Sequence, residues 1–250
     1  MYGPDVRRSV IAMAEAGRPI KVIGRQLGIS RAAIREWITD PDRALAPRPG
    51  GTCFACTAGD CPHPETYAYL LGQYLGDGHL VTSTHVPVLR IYACADYPKI
   101  TTEIIAAITA VRGTTPGNHA TASSERLRRI QSYWKHWPCL FPQHGPGMKH
   151  TRPIVLAAWQ QRIVDQQPWP LIRGLIHSDG CRAINRVVVR GVRYEYPRYF
   201  FSNRSRDILA IMGDALDRVG VAWRYNRPIS ISVAKRDAVA LMDAQVGPKS

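Results

Sequence analysis

No stretch of this chain is long and apolar enough to cross a bilayer. The N-terminus also lacks the apolar core of a secretory signal; Asp5, Arg7 and Arg8 charge it instead. Both absences predict a cytosolic, nucleoid-associated protein with no membrane contact, whose six cysteines are reduced or metal-bound rather than bridged. Acid is scarce as well. Nineteen Asp and Glu stand against 33 Lys and Arg, a formal net charge of +14. That excess points to a polyanionic partner, with nucleic acid first. The hydrophobic share, 45% of 250 residues, is ordinary and suffices for one large or two smaller cores.

What the chain does have is a duplicated stretch. Pro170 to Gly180 reads as a short apolar helix, and an altered copy runs from Tyr69 to Gly78. Each carries small residues four apart, Gly72 with Gly76 and Gly174 with Ser178, so each helix has one face with almost no side chain. Two such helices can pack along those faces. Each ends in Asp-Gly, where glycine suits a left-handed cap. A carboxylate at a helix C-terminus sits against the negative end of the dipole. That the same unfavourable placement occurs twice suggests that Asp77 and Asp179 are wanted together, as oxygen ligands for a hard divalent cation such as Mg²⁺.

Ile172 to Gly180 resembles the LAGLIDADG motif of homing endonucleases, and Leu70 to Gly78 is similar to a weaker copy. Gly174, Leu175, Ile176, Asp179 and Gly180 agree with the motif in one copy; Leu70, Gly72, Asp77 and Gly78 agree in the other. Both depart at the earlier aspartate, which is Leu75 in the first and His177 in the second. The final aspartate, the family's metal ligand, is present in both. The resemblance covers about residues 65 to 250 and implies an α+β fold of two pseudo-two-fold αββαββα halves, 65–152 and 153–250, forming a saddle over double-stranded DNA. It also implies a monomer with internal pseudo-symmetry.

Residues 5 to 40 read as three short helices, giving a domain over 1–42. Gly28-Ile29-Ser30 is a tight turn whose Ser30 can cap the third helix. Lys21 to Trp37 resembles the helix-turn-helix of invertases and transposases, which puts Ser30, Arg31 and Arg35 near the start of a recognition helix. A small bundle for protein contacts is the plainer alternative. Arg7, Arg8 and Arg18 read as phosphate contacts or solvated charge. A Pro/Gly/Ala-rich linker then spans 43–64 and contains Cys53, Cys56, Cys61 and His63. This cluster is either a zinc site that staples the linker or a set of unliganded thiols. Cys94, Cys139 and Cys181 are scattered and read as plain thiols.

Strand and helix groups recur in the same order after each aspartate. Lys135 and Lys235 both fall where a strand hands over to a helix, 58 residues past Asp77 and 56 past Asp179. The resemblance assigns a basic group there, beside the metals, where it can stabilise charge on a phosphate. Arg186, Arg190, Arg193, Arg198 and Arg204, with Tyr194, Tyr196 and Tyr199, form the densest basic–aromatic region. Arg126, Arg128 and Arg129 give the first half a counterpart. Strands present alternate residues on one face, so both groups are candidates for DNA contact. Two functions follow: a metal-dependent DNA endonuclease, or a DNA-binding regulator on the same scaffold without the chemistry.

Overall fold

The computed structural model describes residues 4–45, 53–121, 124–247 and 249. The chain divides into two compact units, Met1–Thr52 and Cys53–Ser250. Among the described residues no helix is long and apolar enough to cross a membrane.

The first unit is all helical: α1 (Pro4–Glu15), α2 (Ile20–Leu27), α3 (Arg31–Thr39) and α4 (Pro41–Leu45). Its small core is Val10, Ile11, Ile23, Ile29, Ile34, Trp37 and Ala44. Two local devices set the α2–α3 turn. Gly28 adopts φ 66°, the left-handed conformation that glycine takes without strain, and the Ser30 side chain accepts a hydrogen bond from the Ala33 amide. Arg7 is a correction: it is buried, donates to the Ala44 carbonyl at 2.9 Å and lies 5.7 Å from the Trp37 ring. It ties α4 to α1 rather than meeting phosphate or solvent. The expected linker therefore begins later than residue 43, because α4 belongs to this core. Its Pro/Gly-rich part, 46–52, lies outside the described residues.

The second unit opens with α5 (Phe54–Thr57) and continues as two copies of one topology. The first copy is α6 (Pro64–Leu75), β1 (Gly78–Val81), β2 (Val88–Cys94), α7 (Pro98–Arg112), β3 (Gly117–Thr121), β4 (Ser124–Tyr133) and α8 (Trp137–Leu140). After α9 (Ala158–Gln166) the second copy is α10 (Pro168–Asp179), β5 (Gly180–Val189), β6 (Val192–Ser202), α11 (Arg206–Arg218), β7 (Arg224–Arg227), β8 (Ser230–Val233) and α12 (Arg236–Gln245). Each four-stranded antiparallel sheet has the same order, β1-β2-β4-β3 and β5-β6-β8-β7. This is the duplicated αββαββα α+β fold that the motif pair implies.

One continuous core runs through both copies and centres on α6 and α10. Leu70, Leu71, Leu75, Leu171, Ile172 and Leu175 are almost fully buried. The sheet registers then sort side chains by face, since residues directly opposite in an antiparallel pair share one. Leu89 and Ile91 pair with Ser132 and Ile130, and Tyr199 and Phe201 with Val233 and Ile231; all of these are buried beneath the helices. The alternate residues face away from the helices.

Candidate nucleic-acid interface and acid centre

The two motif helices meet backbone to backbone. A Cβ on Gly72 would lie 2.6 Å from the Leu171 carbonyl oxygen and 2.8 Å from the Leu175 nitrogen. One on Gly174 would run into the Tyr69 carbonyl and lie 3.0 Å from the Gly72 Cα, and one on Gly76 would strike the Ser178 hydroxyl. The small-residue face is thus used in both helices. The Asp-Gly glycines have a different purpose from the one expected. Neither Gly78 nor Gly180 has a positive φ. Each starts a strand that turns back over its own helix, where a Cβ would lie 2.6 Å from the Tyr74 Cα and 2.7 Å from the Ile176 Cα. Close approach, not handedness, requires glycine there.

This contact brings Asp77 and Asp179 side by side at one end of the helix pair. Burial, and then the charge of Asp179, pushes the Asp77 carboxyl up to about 6. Burial also raises Asp179, partly offset by the Asn203 amide, which donates to its Oδ2 at 2.6 Å. Two ammonium groups face these acids. Lys149 donates to the carbonyls of Tyr74, Leu75 (3.0 Å) and Gly76 (2.8 Å), the open end of α6. Lys249 donates to the Ser178 carbonyl at 3.0 Å, at the end of α10. Both lysines bear on Asp77, and burial brings Lys149 down to about 8. Asp179, Asn203, Arg204, Lys149 and His79 line one open cleft.

The lysines are therefore not the pair that the sequence suggested. Lys135 is exposed and bears on the Cys56 thiol, and Lys235 is an exposed residue preceding α12. Lys149 and Lys249 also stand at near-equal spacings, 72 residues past Asp77 and 70 past Asp179, but neither falls at a strand-to-helix handover, so nothing in the sequence singles them out. The positions of the motif's missing aspartate lie inside the fold. Leu75 is fully buried, and His177 sits beneath the Tyr69 hydroxyl, 3.2 Å away, its imidazole held down to about 4 chiefly by burial. Neither substitution removes a group from the acid centre.

Strand register sorts the arginines by face. Arg128 pairs with Ala93, which shares the helix side with Leu89 and Ile91, and its Nε donates to Asn118 at 3.1 Å. Arg126 shares that parity. Arg186 and Arg193 lie on the helix-side parity of the β5–β6 arm, both paired to Glu195, at 2.9 and 3.2 Å. Arg190 forms the arm's turn, at φ 50°, with Gly191. The face turned away from the helices instead carries Arg90, Tyr92 and Arg129 in the first sheet and Tyr194, Tyr196 and Arg198 in the second. Arg90 gives no sign in the sequence because it stands alone in an apolar strand. The Nε atoms of Arg90, Arg129 and Arg198 are buried and make no hydrogen bond among the described residues. Tyr199, grouped with these by sequence, is buried on the other side and donates to Asp243 at 2.7 Å.

The cysteine cluster has different members too. Cys53 and Cys56 are joined by His136 and Cys139, all four ligand atoms within 4.8 Å of one another, while Cys61 and His63 stand outside the group. All six cysteines are unbridged.

No family model matches the chain, and no curated protein sequence does. Solved structures similar to it include the homing endonuclease I-DmoI in complex with DNA and Mn, at 14% identity over 73% of this chain and 97% of that one, with a TM-score of 0.47. The LAGLIDADG meganuclease I-AabMI bound to uncleaved DNA is 10% identical over 72% and 84%, with a TM-score of 0.45. The N-terminal LAGLIDADG domain of DUF199/WhiA is 10% identical over 75% and 83%, also with a TM-score of 0.45. Overlap this coarse says nothing of chemistry, which has to come from this chain's own residues. Its two glycine–aspartate helices and its duplicated strand order give the chain two αββαββα copies joined at a backbone-to-backbone helix contact, the arrangement that its resemblance to the LAGLIDADG motif implies.

Proposed function

We propose that the protein is a DNA-binding, metal-dependent endonuclease. The carrying observation is the acid pair: two carboxylates held together at the ends of helices whose backbones touch. The two acids offer carboxylate oxygens, which fit a hard divalent cation of the Mg²⁺ kind. A cation bound there would polarise the scissile phosphate and make its water acidic enough to supply hydroxide.

The chain's own residues then divide the work. Asp77 and Asp179 hold the cation; Asn203 fixes the Asp179 carboxylate. Lys149 and Lys249 stand where charge develops on the phosphate oxygens. Arg90, Arg129 and Arg198 lie on the sheet faces turned away from the helices, where their guanidinium groups suit phosphate oxygens. Tyr92, Tyr194 and Tyr196 lie among them with faces for sugar and base edges. In the first unit we assign α2 and α3 as a helix-turn-helix. Arg31 and Arg35 are exposed on α3 and reach for the major groove, while Ser30 already caps that helix.

The test is cleavage of a plasmid library carrying the protein's genomic neighbourhood, with Mg²⁺ and with EDTA. Linear products at a defined site, absent with EDTA and absent for Asp77→Asn and Asp179→Asn while both variants still bind DNA, are expected. If either variant cuts as fast as wild type, the assignment of the acids is wrong. One observation favours a second reading. The Lys149 ammonium already occupies the α6 carbonyls and the two lysines balance the two acids, so the centre is charge-compensated by the protein itself. A regulator that binds DNA without cutting would need no more. It would give shifted complexes of equal affinity in Mg²⁺ and EDTA, with no strand breaks.

A further inference from the structure

Away from the acid centre, two short helices begin in the same way. Cys53 precedes α5 and Cys56 lies three residues on; His136 precedes α8 and Cys139 lies three residues on. In each, the backbone folds back identically: the Cys56 amide donates to the Cys53 carbonyl at 2.9 Å, and the Cys139 amide to the His136 carbonyl at 3.0 Å. The turns face each other although their nearest members are 80 positions apart in sequence. Cys53 Sγ is 3.2 Å from Cys56 Sγ, Cys56 Sγ is 3.3 Å from His136 Nδ1, and Cys139 Sγ is 4.0 Å from the same nitrogen.

We propose that Cys53, Cys56, His136 and Cys139 hold a structural zinc ion. Tetrahedral zinc with Zn–S bonds of about 2.3 Å and a Zn–N bond of about 2.1 Å sets its ligand atoms roughly 3.6–3.8 Å apart. The observed separations straddle that value, and all lie within 4.8 Å. Three sulfurs and one imidazole nitrogen select a borderline-soft ion and reject Mg²⁺ and Ca²⁺, so this centre and the acid pair sort different metals. Four protein ligands fill the coordination sphere, which leaves no position for substrate and makes the role structural. A Cys53–Cys56 disulfide is the competing chemistry; its bond is about 2.0 Å, well short of the 3.2 Å seen.

The ion would supply what these helices lack. Each is four residues long, below the length at which a helix holds itself. Phe54 packs edge-on against Tyr67 and Trp159, which seats the start of α5 on the core. Zinc would cross-link the start of the second unit to the corner that follows β4, closing a long loop of chain.

The test is metal content of the full-length protein, purified under reducing conditions and desalted. One zinc per chain is expected for wild type, Cys61→Ser and His63→Ala, and loss of it for Cys56→Ser and Cys139→Ser. Because those last two variants can fail to fold, Co²⁺ exchange into wild type supplies an independent readout. Intense visible bands of tetrahedral cobalt, with thiolate charge transfer in the near ultraviolet, are expected. Substoichiometric zinc after incubation with the metal, no tetrahedral cobalt spectrum, loss of zinc in Cys61→Ser, or a Cys53–Cys56 disulfide in the reduced preparation would each overturn the proposal.

Discussion

Asp77 shows what the acid centre costs the fold. Its carboxyl stands at about 6 against an ordinary 3.8, with the attraction of both lysines already included, so burial and Asp179 together outweigh them. Between those two pH values the folded state binds a proton that the unfolded state has released. Stability therefore falls as pH rises through this window and stays lower above it. A shift of this size corresponds to up to roughly 3 kcal/mol. Asp77→Asn removes the penalty, and the metal-free variant should melt above wild type at pH 7.5 and level with it near pH 4. Thermal unfolding at both pH values checks this, and a variant less stable at pH 7.5 refutes it. Mg²⁺ should raise the wild-type midpoint and leave the variant unmoved. Wild-type cleavage should also decline as pH drops below about 6, since the carboxyl then carries the proton. The acids were legible because chemistry and glycine spacing fall within a nine-residue motif. The lysines were not, because each comes from a segment more distant than the motif and only folding shows which spacing matters.

At the scale of elements, the α6–α10 contact makes a sharper claim. Gly174→Ala places a methyl against the Tyr69 carbonyl and the Gly72 Cα, both backbone atoms that cannot swing aside. A loss of about 2–4 kcal/mol is expected, with a matching drop in denaturation midpoint. Gly145→Ala is the control: its Cβ would meet only the flexible Arg152 side chain at 3.4 Å, and the change should be nearly neutral. Most elements were readable from periodicity, including α7, α11 and the cores of β2 and β6. Strands β3 and β7 were not. Gly117-Asn118-His119-Ala120-Thr121 and Arg224-Tyr225-Asn226-Arg227 are polar sheet-edge segments with no apolar alternation to announce them. The faces of the arginines were lost for a related reason. A run such as Arg126-Leu127-Arg128-Arg129 shows strand-like charge, but a one-residue change in register moves every side chain to the other side. The zinc ligands were half legible: Cys-x2-Cys is visible, but its His-x2-Cys partner lies beyond any local search.

The whole molecule joins a basic helical unit to a basic α+β unit, and a prediction follows from that division. If both units bind phosphates, a chain starting at Cys53 should bind DNA more weakly and with a shallower dependence on salt. Every phosphate that the first unit neutralises should add about 0.9 to the slope of log K against log salt, and the shortened chain forgoes that share. Affinity measured across a salt series for the full chain and the 53–250 fragment decides it; equal slopes would leave the first unit with no electrostatic role.

The backbone contact between the two helices also bears on how such a protein can change over generations. Arg90, Tyr92, Arg129, Tyr194, Tyr196 and Arg198, on the helix-free faces of the sheets, are not members of the hydrophobic core, so they can be replaced without disturbing it. The distance between the two aspartates is set by main-chain atoms at Gly72 and Gly174, which no substitution elsewhere adjusts. A lineage can therefore rewrite the outer faces of its sheets while the gap between its two acids stays constant, like a ruler whose markings change but whose length does not.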